Sequence, residues 1–264
     1  MLSADLPADH FSPTIALMYH AIGDGGAGSA EDPHYSVSPA RFEAHLDAIA
    51  ACAGDGISAR DWLERPRRAA LLTFDDGHVS DHRLAWPALS QRGMRADFFV
   101  NPARVGEPGL ASWSDLREMA THGMSIQSHG WNHRYFTELS PTELRQDLTR
   151  SLRTIEDSIG QAVTLLAPPG GRMRADLPDI ARECGYRHVL GSQPGRITMS
   201  QPLLPRMAVT ASLAESTIAG WIGGRGIARA RVRYTVLGLA KRTLGDRRYE
   251  LVRERLLGHT GSDA

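Results

Sequence analysis

Thr73-Phe74-Asp75-Asp76-Gly77 closes an apolar run, Ala69-Ala70-Leu71-Leu72-Thr73-Phe74, and sets two carboxylates side by side before a glycine. The run reads as a buried strand and the glycine as the turn that breaks it. Neighbouring side chains on a strand point to opposite faces, but a turn at glycine can bring both acids toward one pocket. Two carboxylates this close resist ionising together unless a cation sits with them. Downstream, Ser128-His129-Gly130-Trp131-Asn132-His133 supplies two imidazoles. One carboxylate and two imidazoles make a metal site with three protein ligands and open positions for water and substrate, and the other carboxylate is then free to act as a base. Alone, Asp-Asp-Gly reads as a turn and His-x3-His as two structural histidines. Their joint occurrence, each after a strand-like run, points to a metal site.

The rest of the chain alternates short apolar runs with helix-length amphipathic stretches. Strands are predicted over 15–19, 71–74, 96–100, 125–128, 163–167 and 188–191. Helices are predicted from Ser38-Pro39 with Phe42, Leu46 and Ile49 on the apolar face, over 86–93, over 112–123, from the Ser140/Glu143 capping box to Gly160, and over 177–184. Residues 23–35 read as a glycine-rich loop. Strand and helix in alternation with short links argue for parallel α/β architecture, and the candidate chemistry falls at strand C-terminal ends, where barrels of this kind place their sites.

The chain has 264 residues, 42% of them hydrophobic, enough for one large core. Thirty Lys and Arg balance thirty Asp and Glu, so net charge gives no sign of a nucleic-acid partner. Cys52 and Cys184 are the only cysteines and do not make a disulfide framework. No run approaches the ~18 apolar residues of a membrane span. Residues 1–13 contain no Lys or Arg and no apolar core of a signal peptide, so a cytoplasmic location is expected. From Arg225 to Arg255 ten Lys and Arg face three Asp and Glu, a local net of +7. Val232, Val236, Leu239, Ala240 and Leu244 recur there at helical spacing. This reads as a surface helix packed on the fold or as an anchor for an anionic membrane surface, at the inner face of the membrane. The expected organisation is a domain over 1–216 and a basic helical extension over 217–264.

Thr73-Phe74-Asp75-Asp76-Gly77 resembles the first motif of the polysaccharide deacetylases, the NodB-homology or carbohydrate esterase family 4 group. His129 through His133 is similar to their second motif, and Trp113 through Met119 with His122-Gly123-Met124 to the segment leading into it. Leu166-Ala167-Pro168-Pro169-Gly170-Gly171 resembles the third motif. Leu17-Met18-Tyr19-His20 resembles the opening of the circularly permuted branch that de-N-acetylates poly-N-acetylglucosamine. The resemblance covers roughly residues 13 to 210. It implies a single-domain α/β fold, a distorted (β/α)7 barrel of the NodB type. It implies Asp75 as general base and Asp76, His129 and His133 as ligands of a divalent metal, with zinc the expected ion.

The family's late Leu-x-His motif is not found, and Leu204-Pro205-Arg206-Met207 stands near its place; the resemblance of Tyr19-His20 to the N-terminal Tyr-His motif of the permuted branch implies His20 as the general acid. His188 and His78 are the next candidates. Ala167 stands where the family pattern has an arginine that pairs with the base, and spacing does not choose between Arg206 and Arg172 as its replacement. Gly170 stands in place of a tyrosine. That keeps a backbone N–H for an oxyanion within Pro169-Gly170-Gly171 but loses a ring that contacts the substrate. Trp113 and Trp131 are candidate sugar platforms, Arg206 and Trp113 candidate substrate contacts, and Asp115 a candidate to orient the catalytic histidine. The implied activity is removal of N-acetyl groups from an amino-sugar-containing saccharide, polymeric or lipid-linked. An O-acetyl esterase and an inactive saccharide-binding module are the alternatives.

Overall fold

The structure, a computed structural model, describes residues 14–23, 32–198 and 201–236. β1 (Ile15–Tyr19) is buried along its whole length and leads into the short β2 (Ala21–Ile22) and β3 (Ser36–Val37), which pair with each other. Ser38 then caps α1 (Pro39–Ala53): its hydroxyl accepts the Arg41 N–H, Pro39 pre-sets the first turn, and Gly54 at φ 80° ends the helix. Phe42, Leu46 and Ile49 form its buried face, as the sequence spacing predicts.

β4 (Gly56–Ile57) and α2 (Ala59–Glu64) follow, neither of them marked by a clear sequence period. β5 (Ala70–Phe74) carries the two acids to its end. α3 (Trp86–Gln91), β6 (Asp97–Val100), α4 (Trp113–Thr121) and β7 (Ser125–Ser128) continue the alternation. α4 and α5 (Pro141–Ile159) both start on full capping boxes, Ser112 with Asp115 and Ser140 with Glu143. β8 (Leu165–Leu166), α6 (Leu177–Glu183), β9 (His188–Leu190), β10 (Leu203–Leu204), β11 (Met207–Ala208) and α7 (Glu215–Ile222) complete the order.

All the pairings between named strands are parallel, and the main sheet runs β10-β9-β8-β7-β6-β5-β1-β11, with β4 added to the start of β5. The two edge strands, β10 and β11, are joined by Pro205 and Arg206 alone. Three peptide units reach at most about 11 Å, so the two edges lie close and the sheet is curled almost into a ring. This is the distorted barrel of the NodB type that the sequence leads one to expect. Side chains alternate accordingly. Leu17, Tyr19, Leu72, Phe74, Phe98 and Val100 pack outward with the helices. Ala16, Leu71, Phe99, Leu165, Ala167, Leu190 and Leu204 form a second cluster inside the curl.

The expected domain boundary after residue 216 falls inside α7. Ile218, Trp221 and Ile222 are buried in the same core as the sheet's outer face, and α7 packs on α1, so the packed body extends to Ile227. A helical stretch over 227–236 follows with Val232 and Val236 exposed. Leu239, Ala240, Leu244 and the rest of the basic segment lie outside the described residues. Both cysteines are free thiols.

Asp97 lies buried at the start of β6, where its carboxylate accepts the Ala59 N–H and so helps to cap α2. Burial pushes it up to about 6, against the lowering effect of its bonds to Ser125 and Ala59. Because the folded state holds this proton more tightly than the unfolded chain, its contribution favours folding at low pH and is lost as pH rises through about 6. Asp97→Asn should abolish that contribution, on the order of 2–3 kcal/mol between pH 4 and pH 7. Urea unfolding of both proteins across this range checks it, and a pH-independent difference between them would refute the assignment.

Candidate active site

The two-residue period of the strands decides what reaches the C-terminal rim of the curl. Thr73 and Asp75 share the inner face with Leu71, and His20 continues the face of Ala16. His129 continues the face of Gln127, one residue beyond β7. The backbone N–H of Asp75 donates to the Tyr19 carbonyl at 3.0 Å, so the β1–β5 pairing holds this residue as firmly as the strand before it.

Both oxygens of Asp75 are bonded to one cation. Arg206 Nη1 and Nη2 donate to Asp75 Oδ1 and Oδ2 at 2.7 and 2.8 Å, a bidentate pair in which both side chains are buried. Arg206 also donates to Thr73 Oγ1 at 3.2 Å and to the Gly191 carbonyl at 3.0 Å. Burial by itself would raise the Asp75 carboxyl. The Arg206 guanidinium, with His129 and His20 further off, outweighs it and holds the group below the usual carboxylate range. The structure thus chooses Arg206 over Arg172 as the partner of Asp75. It also corrects Arg206 as a substrate contact: at 0% exposure the guanidinium is spent on Asp75, Thr73 and Gly191.

The turn expected at Gly77 begins one residue earlier. Asp76 itself adopts the left-handed conformation, φ 77°, followed by Gly77 at 69°. Among the described residues only one other non-glycine has positive φ, and it is His133 at 62°. These two backbone excursions bring Asp76 Oδ1 to 3.1 Å from His133 Nε2 and 3.3 Å from His129 Nε2. Neither imidazole meets Asp76 Oδ1 with hydrogen-bond geometry, which leaves it a buried acceptor without a donor. His129 Nδ1 lies 2.9 Å from the Ala167 carbonyl, which can only accept. That bond fixes the proton on Nδ1 and turns the Nε2 lone pair toward Asp76. The three ligand atoms lie within 4.8 Å of one another, and the donor set and the orphaned oxygen fit a divalent cation. Burial would raise Asp76; its contacts with His129 and His133 and the nearby imidazole charges prevail and hold it well below the usual range.

The remaining expected residues divide. His20 stands at the end of β1 with its ring stacked on Tyr35 at 4.6 Å and a buried Nδ1 that has no hydrogen-bond partner. Pro169 through Gly171 form a tight turn after β8, with both glycines at φ 62°. The Gly171 N–H is taken by the Pro168 carbonyl. Trp113 packs on the outer core as the first residue of α4, and Asp115 is used in that helix's capping box, so neither is placed with the triad. Trp131 is held toward α5, its N–H on Asp147 and its ring 3.8 Å from the Arg150 guanidinium. His188 begins β9, at the opposite end of the strand from the rim.

Sequence reasoning missed two residues here. Asn101, one position past β6, donates to the His129 carbonyl and holds the second motif from behind; an amide ending a strand at the rim is the signal that was available. Asp81 is fully buried at the start of a single π-helical turn, Asp81–Ala85, and neither carboxyl oxygen has a hydrogen-bond partner. Burial, then the negative charges of Asp76 and Asp75, push it well above the usual range. No sequence signal separates it from a surface acid.

Removing one partner of a buried, bidentate pair strands the other charge. Arg206→Met should therefore destabilise the protein by about 3–5 kcal/mol. The double variant Arg206→Met/Asp75→Asn should recover a large part of that loss, because no buried charge is left unpaired. Chemical denaturation of the three proteins measures the coupling; additive losses would show that the pair does not act as a unit.

Comparison with known proteins agrees with this geometry. The family profile "Polysaccharide deacetylase" matches residues 63–189, from α2 through β9 and therefore both motifs of the triad. YxkH of Bacillus subtilis, described as a candidate polysaccharide deacetylase, is 26% identical over 78% of this chain and 75% of its own. The poly-beta-1,6-N-acetyl-D-glucosamine N-deacetylase of Staphylococcus aureus is 21% identical over 79% of this chain and 83% of its own. A polysaccharide deacetylase of Bacillus cereus has the same fold, with a TM-score of 0.72 and 23% identity over 80% of this chain and 69% of its own. With its first two motifs converging on one rim of that fold, the chain belongs to the polysaccharide deacetylase family of enzymes.

Proposed function

We propose that this polysaccharide deacetylase hydrolyses the N-acetyl groups of an amino-sugar-containing saccharide, with a divalent cation held by Asp76, His129 and His133. The observation that carries this reading is the convergence of those three ligand atoms beside an ionised, immobilised Asp75. A bound cation, with zinc suited to the nitrogen and oxygen donors, would lower the pKa of a water and polarise the acetyl carbonyl.

The chain's own groups supply the rest. Asp75 is ionised and keeps lone pairs beyond the two that Arg206 occupies, so it is the base that accepts the water proton. The Gly170 N–H is the donor that the 169–171 turn offers to a developing oxyanion, since the Gly171 N–H is bonded within the turn. His20, across the β1–β5 pairing from Asp75, is the group we assign to protonate the departing amine, and that pairing supports the assignment. The poly-N-acetylglucosamine deacetylases among the relatives support an N-acetylhexosamine polymer as the substrate class.

Acetate release from β-1,6-linked N-acetylglucosamine oligomers tests the reading. Chelation should abolish release and zinc should restore it. Asp75→Asn should lower kcat on the order of 10²-fold or more while the metal content is retained. An amine leaves poorly unless protonated, whereas a phenolate leaves unaided. His20→Ala should therefore cripple de-N-acetylation and spare much of the hydrolysis of an aryl acetate. Release from O-acetylated but never from N-acetylated saccharides would favour the esterase. No metal binding and no turnover would favour the inactive module.

For the basic segment we propose contact with an anionic membrane surface. Exposed Val232 and Val236 beside the +7 charge of residues 225–255 support it. Sedimentation with phosphatidylserine vesicles should be strong at low salt and weak at 0.5 M salt. Equal recovery of unbound protein at both salt concentrations would refute it.

A further inference from the structure

The turn that carries Gly170 has no room for a side chain there, and what fills the room is an aromatic ring from a different part of the chain. A Cβ on Gly170 would lie 2.6 Å from Tyr135 Cε1, 3.3 Å from Cδ1 and 3.5 Å from Cζ. The phenol ring therefore rests against the backbone of the 169–171 turn. The Arg172 guanidinium carbon sits 3.9 Å from the ring centroid, a cation–π contact from the same loop. Behind the ring, the Tyr135 carbonyl accepts the Glu138 N–H at 2.9 Å, and the next residue, Phe136, is fully buried. Tyr135 is thus fixed by its own turn, by Gly170 and by Arg172, yet it remains partly exposed.

Its position is what matters. Tyr135 lies two residues after His133, whose Nε2 lies 3.1 Å from Asp76 Oδ1, and it rests against Gly170, the residue proposed above as the oxyanion donor. A rigid, half-exposed ring at the junction of the ligand loop and the amide turn presents an apolar surface and a hydroxyl to whatever is attached to the reacting acetyl group. The apolar C–H face of a pyranose is complementary to such a surface. The two tryptophans of the neighbouring segments are turned elsewhere: Trp131 lies toward Arg150 and Asp147, and Trp113 packs in the outer core.

We propose that Tyr135, seated on Gly170 and clamped by Arg172, is the aromatic wall of the subsite that receives the acetylated sugar ring. It selects for a saccharide over a small acyl ester. The inference deepens the N-deacetylase reading and rests on it. A side chain at position 170 would fill the same space, so Gly170 is required for the ring to seat.

The test compares wild type, Tyr135→Ala, Tyr135→Phe and Arg172→Met on N-acetylglucosamine oligomers and on an aryl acetate, with zinc content and thermal unfolding measured for each. Tyr135→Ala should raise KM for the oligomers by roughly tenfold while kcat/KM for the aryl acetate stays within about twofold. Tyr135→Phe should keep most of the oligomer affinity, and Arg172→Met should fall between the two. Equal losses on both substrates, lost zinc, or an unchanged oligomer KM in Tyr135→Ala would overturn the proposal while leaving the N-deacetylase reading in place. Aryl acetate turnover by wild type with no acetate from any N-acetylated oligomer would overturn both.

Discussion

Everything at the rim depends on one guanidinium at the seam of the sheet. Arg206 sits in the two-residue link between the edge strands β10 and β11, and its side chain reaches Asp75 and Thr73 at the end of β5 and Gly191 at the end of β9. A parallel sheet whose edges were left apart would lose this contact and with it the orientation of Asp75. Taking a carboxylate and a guanidinium out of water costs several kcal/mol per ion. The cost is offset only where geometry is close to ideal. Here both oxygens of Asp75 are matched by a planar fork, and two further donors of the guanidinium meet Thr73 Oγ1 and the Gly191 carbonyl. The pair therefore serves less as a source of stability than as a device that keeps Asp75 ionised and aimed.

The charge balance of the site follows from that pair. Asp75 and Arg206 cancel. Asp81 is pushed well above the usual carboxylate range, because a third negative charge buried near Asp76 and Asp75 has nothing to compensate it. One uncompensated carboxylate, Asp76, remains, with two imidazoles whose lone pairs can be turned toward it. His129 is so turned by the Ala167 carbonyl. A site with one uncompensated carboxylate, two imidazole nitrogens converging on it and a buried oxygen lacking a donor is arranged for a cation. The backbone shows the same investment. Among the described residues, the two non-glycine positions held at positive φ are Asp76 and His133, two of the three candidate ligands. Conformations of this kind cost on the order of 1–2 kcal/mol each and persist where the surroundings over-determine them.

Much of this was legible before any coordinates. The apolar run ending in two acids, the His-x3-His pair after a strand, and the Ser caps of α1, α4 and α5 are local signals. The local physics that produces them also produces the elements. What was not legible is what depends on closure. β10 and β11 are two residues each and carry no period, so nothing in the sequence marks Pro205-Arg206 as a seam. The choice of Arg206 over Arg172 is a consequence of that seam. A boundary drawn after residue 216 falls inside α7 for a related reason: the rise in basic residues begins near Arg225, whereas burial of Ile218, Trp221, Ile222 and Ile227 depends on packing in the core, beyond the reach of a composition shift. Asp115 shows the converse, a residue that a motif suggests for chemistry but that a helix cap employs.

The departures in the third motif then have a common explanation. A barrel rim is a convergence point for many loops, so a group needed there can arrive from more than one place in the chain. Ala167 offers no cation, but its carbonyl holds His129 while Arg206 brings the cation from the seam. Gly170 offers no ring, but its missing side chain is the space in which the Tyr135 ring lies. Each absence at one position is matched by a presence that occupies the vacated volume or meets the unpaired charge. A motif read along the sequence registers only the loss, because the compensating residues are 35 and 39 positions away, in opposite directions. Burial and charge pairing on the rim are what identify them.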